Sequence, residues 1–159
     1  MTDIVERAKL FATAAHMGQT RKYDGLPYIT HPIAVAEQVY AMTTDAEMTA
    51  AAMLHDVVED TPFTGEDIHK LFGDRIAELV FDLTDHFTSE RYPDLNRKKR
   101  KELEAARIAT ISKDAQLIKL CDIADNTKSI VKDDPGFAML FLREKSAVLE
   151  AMGYYSTKK

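Results

Sequence analysis

The sequence predicts an all-α fold, a single-domain bundle of about eight helices with little or no sheet. Three observations carry this expectation. Apolar residues recur at three- and four-residue spacing through most of the chain. Proline, glycine and polar clusters interrupt that spacing at intervals a helix would span. No segment sustains the period-two alternation of a strand with one buried face.

The elements follow in order. A first helix is expected over 3–17, where Ile4, Ala8, Phe11, Ala12 and Ala15 share a face. Residues 18–30 are polar, contain Gly25 and Pro27, and read as a loop. Pro32 suits the first turn of a second helix, which turns Ile33, Ala36, Val39 and Tyr40 inward. Thr44 and Glu47 have the spacing of a capping box. They are expected to open a helix that runs unbroken through the small residues 50–54, past His55 and Asp56, and stops after Asp60 because of Pro62. Thr64 caps a short helix over 66–72, and Gly73 separates it from another over 74–83. The polar stretch 84–96, with Pro93, is a loop. A strongly basic helix spans 95–110. Ser112 or Asp114 caps the next helix, whose expected apolar stripe is Leu117, Leu120, Ala124 and Ile130. Asp134, Pro135 and Gly136 form a turn before a last helix over 137–152. The domain is expected to occupy 1–155, with 156–159 a frayed tail.

Composition narrows the classes. A chain of 159 residues is long enough for one ordinary core and too short for two. Hydrophobic residues at 45% and charged residues at 30% are the balance of a globular protein. No apolar run approaches the roughly 20 residues of a membrane helix. The charged start, residues 1–7, does not look like a signal peptide. No membrane association is therefore expected. The single cysteine, Cys121, rules out an internal disulfide and suits a reducing compartment, the cytoplasm. A net charge of −5 disfavours a nucleic-acid polymer as partner. A small phosphorylated ligand stays open, because a metal ion and a local basic cluster override the global sign.

The chemistry concentrates at His55 and Asp56, which follow the small apolar run 50–54. A buried imidazole beside a buried carboxylate is costly unless the two are paired or metal-bound. Glu59 and Asp60 each follow by four residues, which on an unbroken helix stacks His55 over Glu59 and Asp56 over Asp60. Without a cation, that density of acid would raise some of the carboxyl pKa values. His31 begins one helix and Asp122 lies within another apolar one. Two imidazoles and two carboxylates suit one divalent ion that accepts nitrogen and oxygen, such as Mn²⁺, Fe²⁺, Co²⁺ or Zn²⁺. Glu59 and Asp60 lie beyond ligand reach and are better placed to move protons. His16 is expected to be structural, His69 and His86 to be surface residues, and Cys121 to fill core. The basic run 97–101 is either a solvated face or a clamp for phosphates. The apolar residues Phe137, Met139, Leu140 and Phe141 of the last helix could pack on a second copy in a homodimer.

The order His31, then His55-Asp56, then Asp122 resembles the HD phosphohydrolase superfamily. Longer words are more specific. Ala15 to Lys22, Asp24 to Pro32, Leu54 to Thr61 and Ile118 to Asp122 resemble the hydrolase domain of the RelA/SpoT proteins, over nearly the whole chain. With no room for a synthetase domain, the chain is similar to standalone small alarmone hydrolases. The resemblance implies release of pyrophosphate from the 3′ position of a purine nucleotide alarmone, ppGpp, pppGpp or ppApp, usually with Mn²⁺. It implies His31, His55, Asp56 and Asp122 as metal ligands and Glu59 and Asp60 as the catalytic acids. Arg21 and Lys22 would flank the purine, and Asn126 would contact sugar or phosphate. The run Ile123 to Ser129 departs from the longer members, which bears on base preference. The alternative readings are an HD-type nucleotide phosphatase, for example one acting on the 2′-phosphate of NADPH, and a nucleotide sensor without turnover.

Overall fold

Ala50, Ala51 and Ala52 have almost no side chain to hold neighbours away, and the helix that carries them sits at the centre of the molecule. The computed structural model describes residues 3–22 and 24–153; the expected fraying of 156–159 lies outside them. The helices are α1 (Asp3–Ala15), α2 (Thr30–Thr43), α3 (Ala46–Leu54), α4 (Val57–Asp60), α5 (Gly65–Phe72), α6 (Asp74–Leu83), α7 (Arg97–Ile108), α8 (Lys113–Asp133) and α9 (Pro135–Ala151). Among the described residues the sheet content is one isolated bridge, Thr20 to Pro27. The all-α expectation holds. Among the described residues nine helical segments stand where about eight were expected, because the helix read through His55 and Asp56 is broken there into α3 and α4.

α3 is buried from Met48 to Leu54 and packs against α1, α2, α6 and α8. Their facing residues, among them Ala8, Val35, Val39, Ile76, Val80 and Ile118, form the main core. α7 and α9 pack on each other at one side, closing a smaller cluster of Ala105, Ile108, Ile123, Val148 and Met152.

Several local expectations are corrected. The N-cap of α3 is Asp45, not Thr44: its carboxylate accepts from the N–H groups of Glu47 and Met48, both at 3.0 Å. Thr44 instead ends α2 in a left-handed conformation, φ 52°. Tyr40 is half exposed rather than inward. On α8 Ile130 is buried as expected, but the rest of the buried stripe is Ala115, Gln116, Ile118, Cys121, Asp122 and Ile123, while Leu117 and Leu120 are only partly covered and Ala124 is exposed. The phase shifts because α8 is gripped from two sides, by α2 and by α9. α9 begins at Pro135, with the Asp134 carboxylate capping Phe137 N–H. The caps at Thr64, a full capping box with Asp67, and at Ser112 agree with the sequence reading.

Candidate metal centre and nucleotide pocket

The break between α3 and α4 creates the site. The His55 ring turns back on its own helix and Nδ1 bonds the Ala52 carbonyl at 2.6 Å. The helix cannot continue past that competing contact, and Asp56 takes φ −101°, ψ −1°, between helix and turn. The expected stacking of His55 over Glu59 is thereby lost. Asp56 and Asp60 remain one turn apart, with Asp60 N–H on the Asp56 carbonyl at 3.0 Å. Glu59 swings the other way and accepts the N–H of Asp85 at 2.7 Å.

With Nδ1 engaged, His55 presents Nε2 to the interior. His31 does the same: its Nδ1 bonds Asp125 at 2.7 Å, and its Nε2 lies 2.8 Å from Asp122 Oδ1. His55 Nε2 is 3.1 Å from Asp56 Oδ2 and 3.2 Å from Asp122 Oδ1. One donor atom from each of His31, His55, Asp56 and Asp122 lies within 4.8 Å of every other, so the group could hold a metal ion. The donor chemistry fits: each imidazole has its second nitrogen tied, which sets the tautomer a ligand needs.

The charges respond to this crowding. Burial disfavours the charged Asp122, yet Lys119, His55 and His31 hold its carboxyl well below the ordinary range. Burial likewise opposes a proton on His55, but Asp56 and Asp122 raise it well above its usual value. Partial burial, then Asp85 and Asp56, push Glu59 up to about 8 although it stands at the site's exposed mouth. Burial and Asp56 push Asp60 up to about 6. These are the shifts expected where several carboxyl groups crowd together.

Residues 18–22 and 24–29 supply the other wall. Arg21 N–H bonds the Leu26 carbonyl at 2.7 Å, and Gly25 turns the chain at φ 72°, a conformation that favours glycine. Arg21, Lys22 and Asn126 line one pocket with Tyr28. Asn126 Nδ2 donates to Asp122 Oδ1 at 3.2 Å.

Sequence reasoning missed two participants, Tyr28 and Asp125, while the pairing of Asp122 with Lys119 is one that the sequence spacing offers. Tyr28 Oη donates to Asp56 Oδ2 at 2.6 Å. Asp125 holds both His31 and Arg21, the latter at 3.2 Å. Lys119 Nζ lies 3.3 Å from Asp122 Oδ2. Asp125 and Lys119 stand three residues either side of Asp122, one helical turn away, which was the available signal. Among the histidines, His16 is buried and structural as expected, bonding Gln19 at 2.9 Å and packing on Tyr28. His69 is exposed, but His86 is largely covered, its ring against Phe81, and is not a surface residue. Of the basic run, Arg97 is paired with Glu144 at 2.8 Å.

A helical bundle that gathers two histidines and two aspartates from three segments, with acids at the mouth, has the layout of a metal-dependent phosphohydrolase. The HD-domain family profile matches residues 8–148, and the chain belongs to that family. It is 40% identical over 132 residues to the bifunctional (p)ppGpp synthase/hydrolase SpoT of Escherichia coli, covering 79% of this chain and 18% of that one. It is 38% identical over 128 residues to the guanosine-3′,5′-bis(diphosphate) 3′-pyrophosphohydrolase MESH1 of Drosophila melanogaster, covering 79% of this chain and 68% of that protein. The chain thus spans about a fifth of the bacterial relative and two thirds of the animal one. A solved structure described as a metazoan ortholog of SpoT that hydrolyses ppGpp superposes with a TM-score of 0.83 at 31% identity, covering 96% of this chain and 86% of that one. No helix among the described residues is long and apolar enough to cross a membrane.

Proposed function

We propose that the protein removes pyrophosphate from the ribose 3′ oxygen of a purine nucleotide alarmone, ppGpp, pppGpp or ppApp, with one divalent ion, Mn²⁺ first among the candidates. The observation that carries this reading is the four-residue donor cluster with Glu59 and Asp60 at one side and the Arg21 pocket at the other. The names of the animal and bacterial relatives support the same substrate class. His31, His55, Asp56 and Asp122 would hold the ion. When bound, it would polarise the phosphoryl group and lower the pKa of the attacking water.

The chain's own residues then have distinct work. Tyr28 orients Asp56 through its hydroxyl, and Asp125 orients His31 through Nδ1. Arg21, braced by Asp125, offers a flat guanidinium to the face of a purine. Glu59 and Asp60, with pKa values raised toward neutrality, can take a proton from water and return one to the departing 3′ oxygen. Water adds to the phosphorus, the bond from phosphorus to the 3′ oxygen breaks, and ppGpp gives GDP and pyrophosphate.

The test is a product assay with and without Mn²⁺ on ppGpp, ppApp and NADPH. Ion-dependent pyrophosphate from either alarmone is the expected result, and the faster of the two defines base preference. Orthophosphate from NADPH alone would replace this reading with a nucleotide phosphatase. Intact substrates with metal bound would leave a sensor.

A further inference from the structure

α4 is a single turn, Val57–Asp60, and a lone turn of helix does not hold its own shape in water. It nevertheless carries Glu59 and Asp60. Side chains from the segment before α2 grip it at both ends. At its start, Tyr28 Oη donates to the Asp56 carboxylate at 2.6 Å. At its end, Gln19 Nε2 donates to the Asp60 carbonyl at 3.0 Å. No helical turn follows that carbonyl, because Thr61 is extended at φ −136°, ψ 169°.

The Gln19 amide is not free to turn over. Its Oε1 lies 2.9 Å from His16 Nδ1. An amide oxygen only accepts, so Nδ1 carries the proton and the amide nitrogen is left for Asp60. The His16 ring is buried and packs on Tyr28, with ring centres 4.9 Å apart. The Gln19 main chain is held as well. Its N–H bonds the His16 carbonyl at 3.0 Å, and its carbonyl accepts the Tyr28 N–H at 2.8 Å. Thr20 bridges Pro27, and Arg21 N–H bonds the Leu26 carbonyl at 2.7 Å, which extends the same pairing. Gln19 therefore reaches Asp60 from a braced stretch of chain. The contact itself is exposed, so water could satisfy the carbonyl and little stability depends on it. Water could not fix the direction of the Asp60 main chain, from which the carboxyl projects.

We propose that Gln19, its amide set by His16, is a positioning residue for Asp60. It holds the end of α4 so that the Asp60 carboxyl meets the reacting bond. The part played by Asp60 in the reaction rests on the function proposed above; the hold of Gln19 on Asp60 does not.

The test is a double-mutant cycle on the full chain with saturating Mn²⁺: wild type, Gln19→Met, Asp60→Asn and the pair. Methionine keeps the length of the side chain and removes the amide. Gln19→Met should lose about ten- to a hundredfold in kcat, the scale of a misplaced catalytic group. KM, metal content and melting temperature should stay at wild-type values. In the Asp60→Asn background the same change should cost less than twofold, because a residue acting through Asp60 has nothing left to place. Hydrogen exchange read by mass spectrometry should quicken at 57–61 in Gln19→Met and stay unchanged at 46–54. Equal losses of kcat in both backgrounds would overturn the proposal, and so would unchanged exchange at 57–61. Quickened exchange in Gln19→Met, with no alarmone turnover by the wild type, would keep the hold on Asp60 and remove the function proposed above.

Discussion

Glu59 carries opposite demands. Its carboxyl is raised to about 8 by partial burial, Asp85 and Asp56. A raised pKa favours folding while the group is protonated, and that contribution is lost as pH climbs from the ordinary carboxyl value through 8. Glu59→Gln keeps an acceptor for Asp85 N–H and removes the charge. It should leave the melting temperature unchanged near pH 5 and raise it slightly near pH 9, the gain limited by the solvent that reaches the mouth. Saturating divalent ion should erase the difference. The same variant should retain metal and lose about 10²- to 10⁴-fold in rate, the general acid–base contribution. A variant with wild-type turnover would remove Glu59 from the mechanism. Asp125 makes a different prediction, because it reaches the donor cluster only through His31. Asp125→Ala should weaken metal affinity about 10- to 100-fold and raise KM through the released Arg21, and Asp125→Asn should restore part of both. Metal titration and steady-state kinetics check this; unchanged metal affinity in Asp125→Ala would make the contact incidental.

At the scale of elements, α7 matters for what it fastens. Arg107 bonds the carbonyls of Asp82 and Thr84 at 2.9 and 3.1 Å, and Glu104 accepts from His86 and Phe87 at 2.8 and 3.0 Å. Together they pin the start of the loop 84–96, which delivers Asp85 N–H to Glu59. Glu104→Ala leaves a largely buried guanidinium without its partner, a loss of about 3 kcal/mol that a denaturant midpoint would show. Glu104 is held below the usual carboxylate range, against burial, by Phe87 N–H and Arg107. Its contribution is present above that range and disappears as pH falls through the lowered value. The variant should therefore match wild type more closely in acid than at neutral pH. Equal stability of the two at neutral pH would contradict the anchoring role.

Across the whole molecule, the donor cluster draws on α2, α8 and the break after α3, so an ion held there ties three separate parts of the bundle. Binding to the folded state alone stabilises it by about 2.7 kcal/mol at 100 times Kd. For a chain of this size that is roughly 5–10 °C in melting temperature. Mn²⁺ should produce such a rise, EDTA should reverse it, and Asp122→Ala should show none. A rise of the same size in Asp122→Ala would place the ion elsewhere.

The sequence by itself determined the helical class and most helix bounds, because periodicity, caps and breakers are local; His55-Asp56 alone is a common dipeptide, and it pointed to a site only together with His31, Asp122 and the acids that follow it. Tertiary structure alone decided the rest. The break at His55 arises from a side chain competing for its own helix's carbonyl. The stripe on α8 follows from the two neighbours that grip it, which its periodicity could not name. Tyr28, Asp125 and Lys119 gain their roles from distances of about 3 Å to residues on the donor cluster.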